Sequence, residues 1–444
     1  MRILLVEPNY RSTFPPLGLL RISAFFKSIG ITPKFVRGLN KEAARTIWDK
    51  IYVSSLFTFE LPRTIKTINF YQYSVNDPEN DIVVGGVGAT LMPEYIKSYS
   101  VCNVIAGCLL EENMLGFNEP PIASFTPDYD LLKDVDKKYV PNDAYFTRVT
   151  SGCIRKCAFC AVPVLEPKFF YLQSLRSQIE TVDQKYGQKH DLVILDNNIL
   201  ALENIQEIIS EIKELGFQKD AKLYNRKRFV DFNQGIDVRL ITPEIARSLS
   251  QINVYPVRIA FDHISVEKSY REGVANLAEQ GIRNIMTYVM FNFKDTPEDF
   301  YKRLRINIEL SKKHNIRITG FPMRFCPINS VDRHYISKNW NWRYLRGIQC
   351  ILNATHGIVS PRPDFFDLAF GNDVEKFLEI ISMPDDYIIY RNKYKNQADE
   401  WRNIYHSLDI DEKNTFYSIL GKNHDAKQKM NIEDPKLSNI INHY

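Results

Sequence analysis

The sequence predicts an α/β protein: a doubly wound parallel sheet, then a partial (β/α)6 barrel of the TIM type, then a mainly helical module. Short apolar runs alternate with helical patterns from residue 1 to about 330. Glycines close several of these runs, where loops and ligands of parallel sheets gather. After residue 331 the chain turns rich in Trp and Tyr and keeps a helical periodicity.

Within the first 120 residues, Ile3 to Val6 reads as a strand. Leu17 to Ile29 reads as a helix closed by Gly30, Lys50 to Ser55 as a second strand, and Ile82 to Gly86 as a third. Residues 121–144 carry Pro121, Pro127 and Pro141 with few long apolar runs, and read as a linker. A second strand and helix series occupies 145–330. Its strands are expected at Phe146 to Val149, Leu192 to Leu195, Phe229 to Phe232, Val257 to Phe261, Asn284 to Phe291 and Ile316 to Phe321. Six such units suit an incomplete parallel barrel. Residues 331–444 form the helical module.

Composition narrows the function. With 44% hydrophobic and 25% charged residues over 444 positions, the chain has the balance of a soluble globular protein. No apolar run is long enough to span a bilayer, and the N-terminal apolar run stops at Glu7 and Pro8, so a cytoplasmic protein without a signal peptide is expected. A net charge of +4 does not indicate a nucleic-acid partner, and the basic clusters Arg226-Lys227-Arg228 and Arg391, Lys393, Lys395 read as solvated faces.

The seven cysteines are unevenly placed: Cys153, Cys157 and Cys160 lie within eight residues, whereas Cys102, Cys108, Cys326 and Cys350 are scattered. A disulfide framework belongs to small secreted chains, so a clustered set in a reducing compartment points to a metal or a cluster. The triplet follows a strand candidate and Gly152, at the end of a strand where barrel enzymes build their sites. Three thiolates hold three irons of a 4Fe–4S cube and leave the fourth open to a ligand. Structural zinc takes four closed ligands, and no Cys or His lies within twenty residues of the triplet on either side.

This C-x₃-C-x₂-C loop after the first barrel strand, with the aromatic Phe159 before the last cysteine, resembles the signature of the radical S-adenosylmethionine superfamily. The resemblance covers roughly 145–330. It implies a 4Fe–4S cluster on Cys153, Cys157 and Cys160, with S-adenosylmethionine chelated at the open iron and cleaved to a 5′-deoxyadenosyl radical. It also implies a one-electron donor such as a flavodoxin or ferredoxin. The same resemblance suggests that Phe159, Asp196, Asn198, Gln234, Asp237, Arg239 and Asp262 line the cofactor site. Structural roles stay open beside these: Asp196 or Asn198 also suits a helix cap, and Arg239 also suits a surface pair. The strand around Tyr288 to Thr296 lacks the glycines that usually approach the adenine.

Further toward the N-terminus, Pro15-Pro16-Leu17-Gly18 and Val84-Gly85-Gly86-Val87-Gly88 resemble the Rossmann-like domain of the cobalamin-binding branch of that superfamily. Gly85 and Gly86 would let a backbone approach a bulky corrin closely, with Ser54, Ser55 and Thr58 adding hydroxyls. No histidine precedes His190, so no D-x-H-x-x-G lower-ligand motif exists. Members of the radical branch often lack that histidine and still hold cobalamin. A sheet that binds substrate, or nothing, stays open as the alternative. With cobalamin the expected chemistry is methyl transfer; without it, methylthiolation, rearrangement or a non-catalytic iron–sulfur role. Against a methylthiotransferase, the N-terminal part has no second three-cysteine set. The substrate is not named by any motif.

In the C-terminal region, Trp340, Trp342, Arg343, Tyr344 and Arg346 read as the core of an accessory module, and Cys350 and His356 as buried residues rather than metal ligands.

Overall fold

The structure, a computed structural model, describes residues 1–422 and 432–444. It divides into two compact units. One comprises residues 1–236, 248–255 and 327–333; the other comprises 237–247, 256–326 and 334–444.

The first unit opens with a five-stranded parallel sheet of β1 (Ile3–Glu7), β2 (Lys34–Arg37), β3 (Lys50–Ser55), β4 (Ile82–Gly86) and β5 (Asn103–Val104), in the order β2-β1-β3-β4-β5. Along each strand successive side chains point to opposite faces, and both faces are covered. Ile3, Leu5, Tyr52 and Val83 pack with Leu19, Leu20, Phe25 and Phe26 of helix α1 (Leu17–Ser28). Leu4, Val6, Ile51, Val53 and Val84 pack on the other side with Leu61 and Ile68 of the helix Leu61–Tyr71. Continuous apolar strands buried on both faces are what a doubly wound sheet requires. The expected limits of β3 and β4 match the structure to the residue. The edge strand β2 was not anticipated, because its two apolar residues sit between Lys34 and Arg37. In the strand order β2-β1-β3, the chain leaves β1 in one direction for β2 and crosses back for β3. Between β1 and β3, at their carboxyl ends, such sheets bind ligands.

The second sheet of this unit joins β6 (Ala144–Thr147), β9 (Asp191–Ile194) and β12 (Val230–Phe232), all parallel, in the order β12-β9-β6. A short antiparallel pair, β7 (Thr150–Ser151) and β8 (Phe170–Tyr171), brackets the cysteine segment. A second short pair, β10 (Lys222–Leu223) and β11 (Arg226–Lys227), forms a hairpin. Arg226 and Lys227 are exposed as expected, but Arg228 is buried. Its guanidinium stacks 3.7 Å from the Phe217 ring centroid and donates to the carbonyls of Lys189, His190 and Gly216. The basic triplet is therefore not one solvated face, since its last member caps backbone carbonyls. Arg391 likewise donates to the carbonyls of Leu368 and Ala369.

The second unit holds a parallel sheet of β13 (Val257–Ala260), β14 (Asn284–Phe291) and β15 (Arg317–Arg324), in that order, with β14 and β15 in register over eight residue pairs. Arg303, on the helix Pro297–His314, is buried here. It donates to the carbonyls of Phe261 and Met290 and pairs with Asp295 at 2.6 Å. Helices from Trp342 onward complete this unit around Phe366, Phe377, Trp401 and Phe416. The six strands of the second series are thus present, as two three-stranded parallel sheets. Among the described residues, no helix is long and apolar enough to cross a membrane.

Candidate cofactor site

Cys153, Cys157 and Cys160 all fall in the first unit, in the loop that follows β6 and β7. Gly152 anchors its base. Its φ is +74°, and a Cβ there would lie 2.1 Å from the Lys168 carbonyl oxygen, so only glycine fits. None of the three is in a disulfide, and all are partly exposed. The Cys153 sulfur accepts from the backbone N–H of Arg155 at 3.3 Å and from the Asn198 amide at 3.4 Å. The Cys160 sulfur accepts from the N–H of Val162 at 3.4 Å. Hydrogen bonds of this kind to cysteine sulfur tune an iron–sulfur cluster.

Two carboxylates hold the entry to this loop. Asp196, buried at the end of β9, accepts from the N–H groups of Val149 and Thr150 and from the Thr150 hydroxyl at 2.6 Å. Burial raises its pKa, and these hydrogen bonds and Arg148 pull it back. Asp196 therefore fixes the strand that delivers the loop, and its oxygens are occupied by that strand. Glu166 is the second, and sequence reasoning passed over it. One of its oxygens accepts from Arg148, from the Gly152 N–H at 2.6 Å and from the Asn197 amide at 3.1 Å; the other accepts from the Cys108 thiol at 3.4 Å. Its only signal in the sequence is an acid six residues beyond Cys160 in an otherwise apolar stretch.

Asn198 is buried beside Cys153, and its Oδ1 has no hydrogen-bond partner among the described residues. A buried carbonyl oxygen left unmet is costly, and here it lies next to a thiol that would carry iron. That orphan and the three soft donors in one loop fit a cluster with a nitrogen-bearing ligand. Structural zinc takes four closed ligands, and this loop offers three thiols. Phe159 is partly buried in the same loop. Gln234, after β12, is exposed and donates to the Asn233 side chain.

The other residues expected at the site belong to the second unit. Asp237 caps the turn Val238–Leu240 and grips Arg239 through both oxygens, at 2.6 and 3.0 Å. Asp262, at the end of β13, is pushed up to about 6 by burial, with Arg303 and Arg239 offsetting part of the effect.

The first unit also has a half-open cavity of ≈ 410 Å³ at the carboxyl ends of β1, β3 and β4. Ser54, Ser55, Gly85 and Gly86 line it, together with the start of α1. Gly18 and Gly107 leave open space where a side chain would project. Gly86, with φ of +106°, could not carry a Cβ, which would meet the Ser55 carbonyl oxygen at 2.3 Å. Arg148, Leu165 and Glu166 line the same cavity, so the clamp of the cysteine loop is also one wall of the space above the N-terminal sheet.

The structure of TsrM from Kitasatospora setae, a radical S-adenosylmethionine methyltransferase solved with cobalamin and a [4Fe–4S] cluster, superposes over 79% of this chain and 78% of its own, with a TM-score of 0.54 and 14% identity. The two chains share a fold. The cobalamin-dependent S-adenosylmethionine radical enzyme OxsB aligns over 94% of this chain and 70% of its own with a TM-score of 0.48 and 13% identity. An 81-residue stretch is 27% identical to the ribosomal protein uS12 methylthiotransferase RimO of Petrotoga mobilis. That match spans only 18% of this chain and 19% of that relative. No family model matches the chain.

Proposed function

We propose that this protein is a radical S-adenosylmethionine enzyme that transfers a methyl group with the help of cobalamin. The observation that carries the reading is the shared wall: Arg148 and Glu166 both clamp the three-cysteine loop and line the N-terminal cavity. A methyl carrier in that cavity would face the side of the protein where the radical is made. In this reading residues 1–120 hold the corrin, 145–330 carry out the radical chemistry, and 331–444 are accessory.

Cys153, Cys157 and Cys160 would hold the cluster, which supplies an electron for reductive cleavage of S-adenosylmethionine. The chain's own part is positioning. Asp196 and Glu166 fix the backbone from Val149 to Gly152, so the thiols enter from a rigid base. The orphan Oδ1 of Asn198 would accept an N–H of the methionine ammonium. The glycine-lined cavity, mostly apolar, would shield the corrin face from water. The sheet offers no imidazole, since the first histidine is His190, so the metal would be held without a histidine of this sheet.

The test is anaerobic reconstitution with iron, sulfide and hydroxocobalamin, followed by desalting. A broad absorption near ~400 nm with about four irons per chain, retained corrinoid bands, and 5′-deoxyadenosine after reduction with S-adenosylmethionine are the expected results. Retained zinc with neither chromophore would refute the reading. A cluster without corrin would refute its cobalamin part alone.

A further inference from the structure

The N-terminal cavity contains one positive charge that nothing answers. Four charged side chains line it: Glu7, Arg21, Arg148 and Glu166. Glu7 is engaged by Arg37 at 3.0 Å and by the Tyr139 hydroxyl at 2.5 Å. Glu166 is engaged by Arg148. Arg21, on α1, makes no hydrogen bond or ion pair with any described residue, and its Nε is fully buried. Arg148 is the charge nearest to it in effect, and it repels. Burial and that repulsion pull the Arg21 pKa down to about 10, so it remains cationic at neutral pH. The cavity holds a second unmet donor, the hydroxyl of Tyr52, which is 2% exposed and without a partner.

An uncompensated guanidinium inside a protein is destabilising. Such a group is retained cheaply on an open surface, where water solvates it, but Arg21 is partly buried with its Nε fully covered, and it lines a half-open, mostly apolar cavity. A guanidinium presents a planar fork of N–H donors that matches the paired oxygens of a phosphate or carboxylate. We propose that the cavity receives a ligand with a largely apolar body and an anionic oxygen group, and that Arg21 is the residue that pairs with that anion. Tyr52 would donate to a second acceptor on the same ligand. This deepens the functional reading above: if the ligand is cobalamin, the anion is the phosphodiester of its nucleotide tail. The pairing itself depends only on the charge, so it also holds for a carboxylate or phosphate on another ligand.

The experiment uses the full chain, prepared without oxygen, as wild type, R21K and R21M. Four probes are compared: hydroxocobalamin, cobinamide (the corrin without phosphate or base), inorganic phosphate and acetate. Without ligand, R21M should melt a few degrees above wild type, since it removes a partly buried unpaired cation and keeps the stem. Wild type should bind hydroxocobalamin about tenfold or more tightly than cobinamide. R21M should lose that preference, and R21K should keep part of it. Equal binding of the two corrinoids, with phosphate or acetate stabilising wild type but not R21M, would support the anion site and assign it to another ligand. If no variant retains a corrinoid yet the anions still discriminate wild type from R21M, the cobalamin reading falls and the anion site stands. If wild type and R21M respond alike to all four probes, the proposal is overturned.

Discussion

Glu166→Ala should uncouple the cysteine loop from the rest of its sheet. Removing the carboxylate leaves Arg148, which is 8% exposed, without its acid, and leaves the Gly152 N–H and the Asn197 amide without their acceptor. Breaking a buried ion pair by deleting one partner costs about 3–5 kcal/mol, and an unmet buried N–H about 1–3 kcal/mol. The two do not add, because Arg148 keeps its bond to the Thr150 carbonyl at 2.8 Å. A net loss of about 4 kcal/mol is expected, or roughly 8–16 °C in the first melting transition. Glu166→Gln still accepts from Gly152 and Asn197 and should cost about half as much. Iron content after anaerobic reconstitution reads the consequence for the cluster. It should fall below half of wild type in Glu166→Ala and stay close to wild type in Glu166→Gln. A double-mutant cycle with Arg148→Met isolates the pair, with a coupling of about 2–3 kcal/mol expected. Wild-type melting and full iron loading in Glu166→Ala would show that the clamp does not hold the loop.

Cys157→Ala should abolish both cluster assembly and cleavage of S-adenosylmethionine, and retention of either in an anaerobic assay would sink the assignment. Asp196→Ala strands the backbone N–H groups of Val149 and Thr150 and the Thr150 hydroxyl, at the start of β7, so a loss of about 3 kcal/mol is expected in denaturant unfolding. Asn198→Leu removes the orphan oxygen while filling its place. Binding of S-adenosylmethionine to the reconstituted enzyme should weaken by about tenfold, and unchanged affinity would exclude that contact. Asp262 is raised from 3.8 to about 6, so the folded state holds its proton more tightly than the unfolded state. Its contribution to stability is present below about pH 4 and is lost as pH rises through 6, a span worth at most about 3 kcal/mol. Asp262→Asn should flatten the stability profile over that window, and an unaltered slope would contradict the burial argument.

Much of the fold was legible because apolar strands of a parallel sheet are written as continuous runs. β3, β4 and β14 were bounded to the residue for that reason. The edge strands are harder to read: β2 is a two-residue apolar stretch between Lys34 and Arg37, and β5 is only two residues long, so neither carries a period. The cysteine loop was legible because its chemistry is local: three thiols, a glycine and an aromatic residue lie within a span of nine positions. Polar residues at strand ends were a different matter. Asp196 suited either the cofactor site or a helix cap, and in the structure its oxygens accept from the backbone of Val149 and Thr150. Asp237 and Arg239 were picked out separately and are each other's partner.

By itself the sequence determined what depends on neighbours along the chain: the alternation of strands and helices, the thiol spacing and the glycines that end β4. Only the tertiary structure decided what depends on residues far apart in the chain. It set Cys108 against Glu166, fifty-eight positions away, and made Glu166 a wall of the cavity above β1, β3 and β4. It also left Arg21 without an acid. Charge on a residue is written in the sequence, but whether that charge is answered depends on which side chains the fold brings within a few ångströms of it.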